Sequence, residues 1–246
     1  MEKIHLIMPM AGGGTRFGNK GFNLPKPLIE LQGKPFFYWA TQSITKYIDV
    51  EDIIFVVLKE HIDRFHIDER IREFYPKAKI VDIESVLNGA VLTCLEGVKA
   101  INDDKPILFN DCDHAFLSER FYTFAKTSQF TNIDGGLLTF KSSRDCYSYV
   151  KFNDEGKVIG TIEKQVASNE AICGAYYFKD REIFEKAAGA YLEHCNYSEY
   201  FVSGVYNEMV KMGQSIITFP IDEHISFGTP DEYDEALDDE RLKLLI

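Results

Sequence analysis

Ile4-His-Leu-Ile-Met-Pro-Met-Ala-Gly-Gly-Gly-Thr-Arg-Phe-Gly18 is an apolar run that opens into three consecutive glycines and then a basic residue. Residues 4–8 read as a buried strand. The glycines let the backbone come close to a ligand with no side chain between them. Successive amides in such a loop form a nest for an anion. A short loop later, Leu24-Pro-Lys-Pro-Leu28 holds Lys26 between two prolines, which restrict its backbone and aim its ammonium. A strand followed by this loop, with Arg16 and Lys26 on either side, reads as a phosphate grip on an α/β sheet. A tight structural turn is the plain alternative. Neither common nucleotide fingerprint applies: no Gly-Lys-Ser/Thr follows, and from Gly12 the last position of Gly-x-Gly-x-x-Gly falls on Phe17.

Outward from this stretch, apolar strand-like runs alternate with helix-period segments. Residues 36–47 read as a helix, 53–58 as a strand, 61–74 as a helix, 79–82 as a strand, 91–101 as a helix and 106–109 as a strand ending at Asn110-Asp-Cys-Asp113. This βαβαβαβ order predicts a mainly parallel sheet with helices on both faces. The second half changes character. Strands are expected at 135–140, 149–152, 158–163 and 172–178, with a hairpin turn at Asn153-Asp-Glu-Gly156. Helices at 181–192 and 199–212, a strand at 215–220 and an acidic helix after Pro230, its face in solvent, complete the chain. No linker, repeat or low-complexity segment divides it, so residues 1–246 are expected to form one domain with a small β-hairpin lobe.

Composition narrows the function classes. The 246 residues carry 39 acidic and 27 basic side chains, a formal charge of -12. That excess disfavours non-specific nucleic-acid or anionic-membrane binding, which needs a basic face. It also makes the local Gly-Arg-Lys cluster stand out. Cys94, Cys112, Cys146, Cys173 and Cys195 are scattered, with no Cys-x-x-Cys, which fits a reduced compartment and argues against structural zinc. No signal-peptide pattern and no apolar run near ~18 residues is present, so a cytoplasmic enzyme is expected. The sequence specifies no oligomeric state.

Four further motifs follow the glycine loop in order. They are Asp111-Cys-Asp113, Ile162-Glu-Lys164, Ala171-Ile-Cys-Gly-Ala-Tyr-Tyr-Phe178 and Phe227-Gly-Thr-Pro-Asp231. Asp111 and Asp113 lie two apart at a strand end, so both can face one way; a strand-terminal turn is the bland reading. Glu163 and Lys164 alone would read as a surface ion pair. Val86-Leu-Asn-Gly-Ala90 alone would read as the start of a helix. The aromatic segment from Tyr197 to Phe201 reads equally as core packing or as a substrate wall. The six histidines show no metal spacing.

Together these motifs resemble the signature of the nucleotidylyltransferases that activate sugar phosphates, such as glucose-1-phosphate thymidylyltransferases and related cytidylyltransferases. The resemblance covers nearly the whole chain and implies a Rossmann-like three-layer α/β sandwich. It implies attack of a phosphate oxygen on the α-phosphorus of a nucleoside triphosphate, with release of pyrophosphate. Such chemistry needs alignment, neutralised charge and a metal more than covalent help. By resemblance, Arg16 and Lys26 would meet the triphosphate and Lys164 the attacking phosphomonoester. Met10, Ala11, Gly12, Gly13, Gly14, Thr15, Leu87, Asn88, Gly89 and Asp111 would line the nucleotide. Glu163, Lys164, Gly174 and Tyr200 would line the acceptor. Asp113, with Asp111 as auxiliary, would hold Mg²⁺, a hard cation that prefers oxygen ligands. One departure stands out: the family's usual second metal aspartate falls on Ser226. Within the family the chain is most similar to the short surface-polysaccharide members, above all the cytidylyltransferases that take CTP and L-glutamine phosphate for capsule modification. A hexose-1-phosphate acceptor is the main competitor. A nucleotide-sugar glycosyltransferase using Asp-x-Asp, and a non-catalytic sensor, are the other readings.

Overall fold

The computed structural model describes residues 3–127 and 129–246. Strand β1 (Ile4–Pro9) runs into the glycine loop and a single helical turn, α1 (Thr15–Gly18). A small hairpin, β2 (Glu30–Leu31) and β3 (Lys34–Pro35), leads to α2 (Phe36–Thr45). Then come β4 (Val50–Leu58), α3 (Lys59–Phe65), α4 (Ile67–Phe74), β5 (Lys79–Ile83), α5 (Ala90–Val98) and β6 (Ile107–Asn110). Strand β7 (His114–Leu117) and helix α6 (Glu119–Ala125) follow. The second half adds β8 (Gly135–Lys141), β9 (Ser148–Phe152), β10 (Val158–Glu163), β11 (Glu170–Phe178), α7 (Arg181–His194) and α8 (Val202–Lys211). It closes with β12 (Ile216–Pro220), β13 (Glu223–Ser226) and α9 (Pro230–Ala236).

One large sheet organises these elements in the order β10-β9-β11-β6-β1-β4-β5, with β8 beside β11 and β12 beside β8. β6, β1, β4 and β5 run parallel, while β11 joins β6 antiparallel. The inner strands β1 and β6 and the second half of β4 are apolar nearly throughout because both of their faces are covered. Successive residues divide between two cores, as the period of two requires. Leu6 and Met8 pack into one with Phe37, Ala40 and Ile71; Ile7 packs into the other with Val91, Cys94 and Phe184. This is the three-layer α/β sandwich that the alternation of strands and helices predicts. The hairpin β9–β10 forms with its turn at 153–156.

The structure differs from the sequence reading in four places. The helix expected over 61–74 is two helices, broken at His66 with φ 51°. The break sets Ile62 and Phe65 on one side of it, and Ile67 and Ile71 on the other, against the same core. The helix expected from 199 begins at Val202, because the Tyr200 backbone is engaged elsewhere. The C-terminal acidic run is not uniformly solvated: Glu232 is buried and closes a capping box with Thr229 at the start of α9. Finally, β7 and β13 pair into a separate antiparallel ribbon that no periodicity announced.

A third apolar cluster lies under the glycine loop. Phe17 is 1% exposed and meets Phe22, Phe36 and Tyr233 edge-on, at centroid distances of 5.2, 5.7 and 6.3 Å. Phe36 in turn packs on Phe227, which precedes the Gly-Thr-Pro turn. The loop is therefore anchored by an aromatic side chain beneath it while its glycines stay exposed above. Replacing Phe17 by Ala should cost about 3–5 kcal/mol of stability, the ordinary loss for emptying a buried phenylalanine site. Urea unfolding would show this as a lower midpoint at unchanged slope.

Candidate active site

In open α/β sheets the ligand crevice lies at the carboxyl ends of the strands, where the strand order reverses. Here β1 feeds β4 and β5 on one side, and the chain then returns to β6 on the other. The crevice between the ends of β1 and β6 is bordered by the glycine loop and by Asp111–Asp113. A cavity of about 460 Å³ opens there, bordered by Gly12, Gly14, Arg16, Lys26, Asp113 and Lys164 among others. A second compartment of about 360 Å³ adjoins it, sharing Arg16, Asp111, Asp113, Cys146, Phe201 and Gly228.

The centre of the crevice is an ion pair. Lys26 Nζ donates to Asp113 Oδ2 at 2.6 Å, across 87 residues of sequence. Burial alone would lower the Lys26 ammonium, but the Asp113 carboxylate overrides it and the pKa is raised. Burial alone would raise Asp113, and Lys26 likewise overrides it, so Asp113 is held ionised. Burial, reinforced by the charge on Asp113 and opposed by Lys26, pushes Asp111 up to about 7. Two carboxylates of one short segment are thus shifted in opposite directions, a common mark of functional sites.

Glycines shape the space around this pair. A Cβ on Gly174 would lie 2.7 Å from Asp111 Oδ2, and one on Gly228 would lie 2.6 Å from Asp113 Oδ2. Gly174, at φ 94°, sits where the β11–β8 register shifts, and its carbonyl accepts from the Asp111 N–H at 2.9 Å. Gly14, at φ 58°, packs against Lys26. At Gly12, by contrast, an added Cβ would meet nothing within 4 Å. The fold makes no demand for glycine there, so the open space above it is free for a ligand.

The remaining expected residues are distributed around the crevice. Met10 and Thr15 border the larger cavity, as do Glu163 and Lys164. Ala11 lies in the core. Gly13 is exposed in the loop. Glu163 is raised by burial, against hydrogen bonds from Ser148 at 2.5 Å and from Ser203. Lys164 has φ 51°, with its ammonium 4.0 Å from Glu199 and 5.2 Å from the Phe201 ring. Leu87, Asn88 and Gly89 form the turn before α5. Tyr200 belongs with that turn rather than with Gly174: its N–H donates to Asn88 O and its carbonyl accepts from Val91 N–H, both at 3.2 Å. Gly89 is required there, since a Cβ would fall 2.3 Å from Tyr200 N. The neighbour, Phe201, is the aromatic that borders both compartments.

Several bordering residues carried no sequence signal that was read as function: Arg144, Cys146, Tyr147, His114, His224 and Glu232. The period-two spacing of His224 and Ser226 just before Gly228 is the trace they leave in the sequence. Ser226 faces His114 across the β7–β13 ribbon. Burial pushes His114 down to about 4 and His224 down to about 3. Among the described residues no group of three or more His, Cys, Asp or Glu side chains is placed to hold a metal by itself. Asp111 and Asp113 nevertheless fit Mg²⁺, which is typically held by one or two carboxylates with substrate phosphates and water completing the shell.

With this geometry in view, comparison with known proteins is decisive at one level. The nucleotidyl transferase family model matches residues 6–241. The chain belongs to that family. It is 28% identical over 120 residues to 2-C-methyl-D-erythritol 4-phosphate cytidylyltransferase of Clostridium perfringens, covering 49% of this chain and 51% of the relative. It is 23% identical over 159 residues to the Fusobacterium nucleatum enzyme of the same name, covering 64% of each. The matched regions therefore span about half to just under two thirds of these relatives. Among solved structures, a nucleoside-diphosphate-sugar pyrophosphorylase from Vibrio cholerae superposes with a TM-score of 0.83 at 25% identity, covering 94% of this chain and 99% of that one. The inositol-1-phosphate CTP transferase from T. maritima shares the fold at TM-score 0.78 and 15% identity, covering 100% and 96%.

Gly12→Ala should leave the thermal midpoint within the ordinary scatter of a surface change, about 0.5 kcal/mol. It should weaken nucleoside triphosphate binding roughly tenfold, a loss of about 1.4 kcal/mol. Calorimetric titration of the variant beside a melting curve separates the two effects.

Proposed function

We propose that this protein transfers a nucleotidyl group from a nucleoside triphosphate to a phosphorylated small molecule and releases pyrophosphate. The observation that carries the reading is the Lys26–Asp113 pair, set under the glycine loop at the switch-point crevice. Exposed loop amides and Arg16 would receive the triphosphate, and Lys26 would meet the charge that develops on the departing pyrophosphate. Lys164, across the cavity, would take the acceptor's phosphate and hold it in line with the α-phosphorus. Glu163 is the neighbouring acceptor for polar groups on that substrate. Asp113, aided by Asp111, would hold Mg²⁺, which when bound supplies charge neutralisation at the phosphates. Ser226 adds no charge, and the nearby carboxylates that could substitute are turned elsewhere, Asp222 to the Glu119 N–H and Glu223 to Arg241, so the carboxylate contribution would come from the Asp111–Asp113 segment.

We favour CTP as the donor, supported by the cytidylyltransferase names of the sequence relatives. For the acceptor we favour L-glutamine phosphate, giving CDP-L-glutamine for capsule modification. This rests on the likeness to the short surface-polysaccharide members. A hexose 1-phosphate giving a nucleotide sugar is the second reading, favoured by the full-length likeness to the Vibrio cholerae pyrophosphorylase. A glycosyltransferase would have no use for Lys26 beneath a triphosphate loop. In either nucleotidyl-transfer reading the chain works as a single domain without nucleic acid or membrane.

A pyrophosphate-release screen of the four nucleoside triphosphates against hexose phosphates, polyol phosphates and L-glutamine phosphate tests the proposal. Turnover is expected with CTP and one acceptor class. Activity only with a preformed nucleotide sugar would overturn it. Lys26→Ala should lower kcat on the order of 10²–10³, the usual loss for one aimed charge at the reacting group. Lys164→Ala should act mainly on the acceptor KM. Chelation by EDTA should abolish turnover, with recovery on adding Mg²⁺.

A further inference from the structure

The β7–β13 ribbon presents one polar face to the second compartment. In the antiparallel register Ser226 stands opposite His114, and His224 stands opposite Phe116. Alternation along β13 puts His224 and Ser226 on the same side, and all three polar side chains border the compartment. His114 is 3% exposed, yet neither of its ring nitrogens has a hydrogen-bond partner; His224 Nε2 is also buried and unpaired. A buried polar atom left without a partner is costly, because it has given up water and gained nothing in return. Three such atoms sit on one small ribbon, in two residues that border the cavity, where a side-chain rotation brings them to a group that enters it.

Packing does not explain the imidazoles. His224 lies 4.2 Å, centroid to centroid, from Phe140, and His114 lies 5.6 Å from Phe116. An apolar ring would suit either neighbour without an orphaned nitrogen. Ser226 is short and uncharged, so it neither fills the space nor provides an ionic partner for His114. At the rim, Arg144 is already turned toward Glu232 at 3.7 Å. Arg16 and Asp111 also border this compartment, on the side of the glycine loop; on the ribbon side the buried nitrogens without a partner are those of the two histidines.

We propose that His114 and His224 form the specificity wall of the acceptor compartment. They read the body of the acceptor by hydrogen bonds, so the acceptor is a phosphomonoester carrying a hydroxyl or amide group that reaches this ribbon. Phosphomonoesters with an apolar body are rejected. This rests on the nucleotidyl-transfer reading of the cleft and adds the chemistry of the substrate's far end. The physical basis is asymmetric: a site built to bond a polar group discriminates strongly against the analogue lacking it, because its own buried groups then stay unpaired.

The test begins with the best acceptor from the pyrophosphate-release screen and its analogue lacking one hydroxyl or amide. The wild type should prefer the complete acceptor by at least about 100-fold in kcat/KM, within the range seen for such sites. His224→Leu should shrink that preference to below about tenfold and raise the acceptor KM, with the KM for the nucleoside triphosphate unchanged. His224→Gln, which keeps a donor and an acceptor, should restore part of the preference. Ser226→Val, which keeps a strand-forming residue but fills the space beside His114, should also raise the acceptor KM selectively. It provides the second probe if His224→Leu does not fold. Unaltered preference and KM in both His224→Leu and Ser226→Val would overturn the proposal, as would an apolar phosphomonoester proving the best acceptor. Absence of pyrophosphate release by the wild type with every acceptor would instead overturn the nucleotidyl-transfer reading beneath it.

Discussion

The Lys26–Asp113 ion pair is the constraint on which the rest of the site depends. It joins the loop after β1 to the loop after β6 at 2.6 Å, in a crevice that leaves each side chain about a quarter exposed. A half-buried pair of this kind is a poor source of stability, but loss of one partner leaves an uncompensated charge in the crevice. The two loops must therefore stay in register. Much of the local sequence serves that end. Prolines flank Lys26, Gly14 lets the loop lie against it, and Gly228 leaves room for the Asp113 carboxylate.

Around the pair, charge is divided rather than accumulated. Asp113 is held ionised by Lys26, while Asp111, two residues away, is pushed up by burial and by its neighbour's charge. The Asp111–Asp113 segment consequently offers one fixed anion and one carboxylate more easily protonated, facing Arg16 and Lys26, in a protein whose overall charge is -12. The aromatic cluster of Phe17, Phe22, Phe36 and Tyr233 holds this arrangement from below. It couples the glycine loop to α9 and, through Phe227, to the β7–β13 ribbon. The loop is thus seated on rigid rings, with its glycines, Thr15 and Arg16 left open to a ligand.

The alternation of apolar runs and helical periods was enough to predict the α/β class, and β1, β4, β5 and β6 fall where the sequence places them. Those strands are legible because their central residues form short apolar runs, most of them buried. The β7–β13 ribbon was not legible. Its strands are short, polar on one side, and separated by more than 100 residues, so neither run carries a period long enough to stand out. The break at His66 was equally hidden, since a left-handed histidine has no compositional mark. The place of Tyr200 beside the turn before α5 is hidden too, because it is set by backbone bonds to Asn88 and Val91, which side-chain chemistry does not report.

The sequence by itself determined the parallel core, the glycine loop, and the candidate groups Lys26, Asp111 and Asp113. These follow from local rules: periodicity, the absence of Cβ atoms, and fixed proline geometry. Only the tertiary structure decided which of these groups meet. That Lys26 bonds to Asp113 rather than to Asp111, that Glu232 is buried, and that His114 and His224 share a wall with Ser226 all depend on register between distant strands. Register is set by packing of whole faces, and no short window of residues contains it.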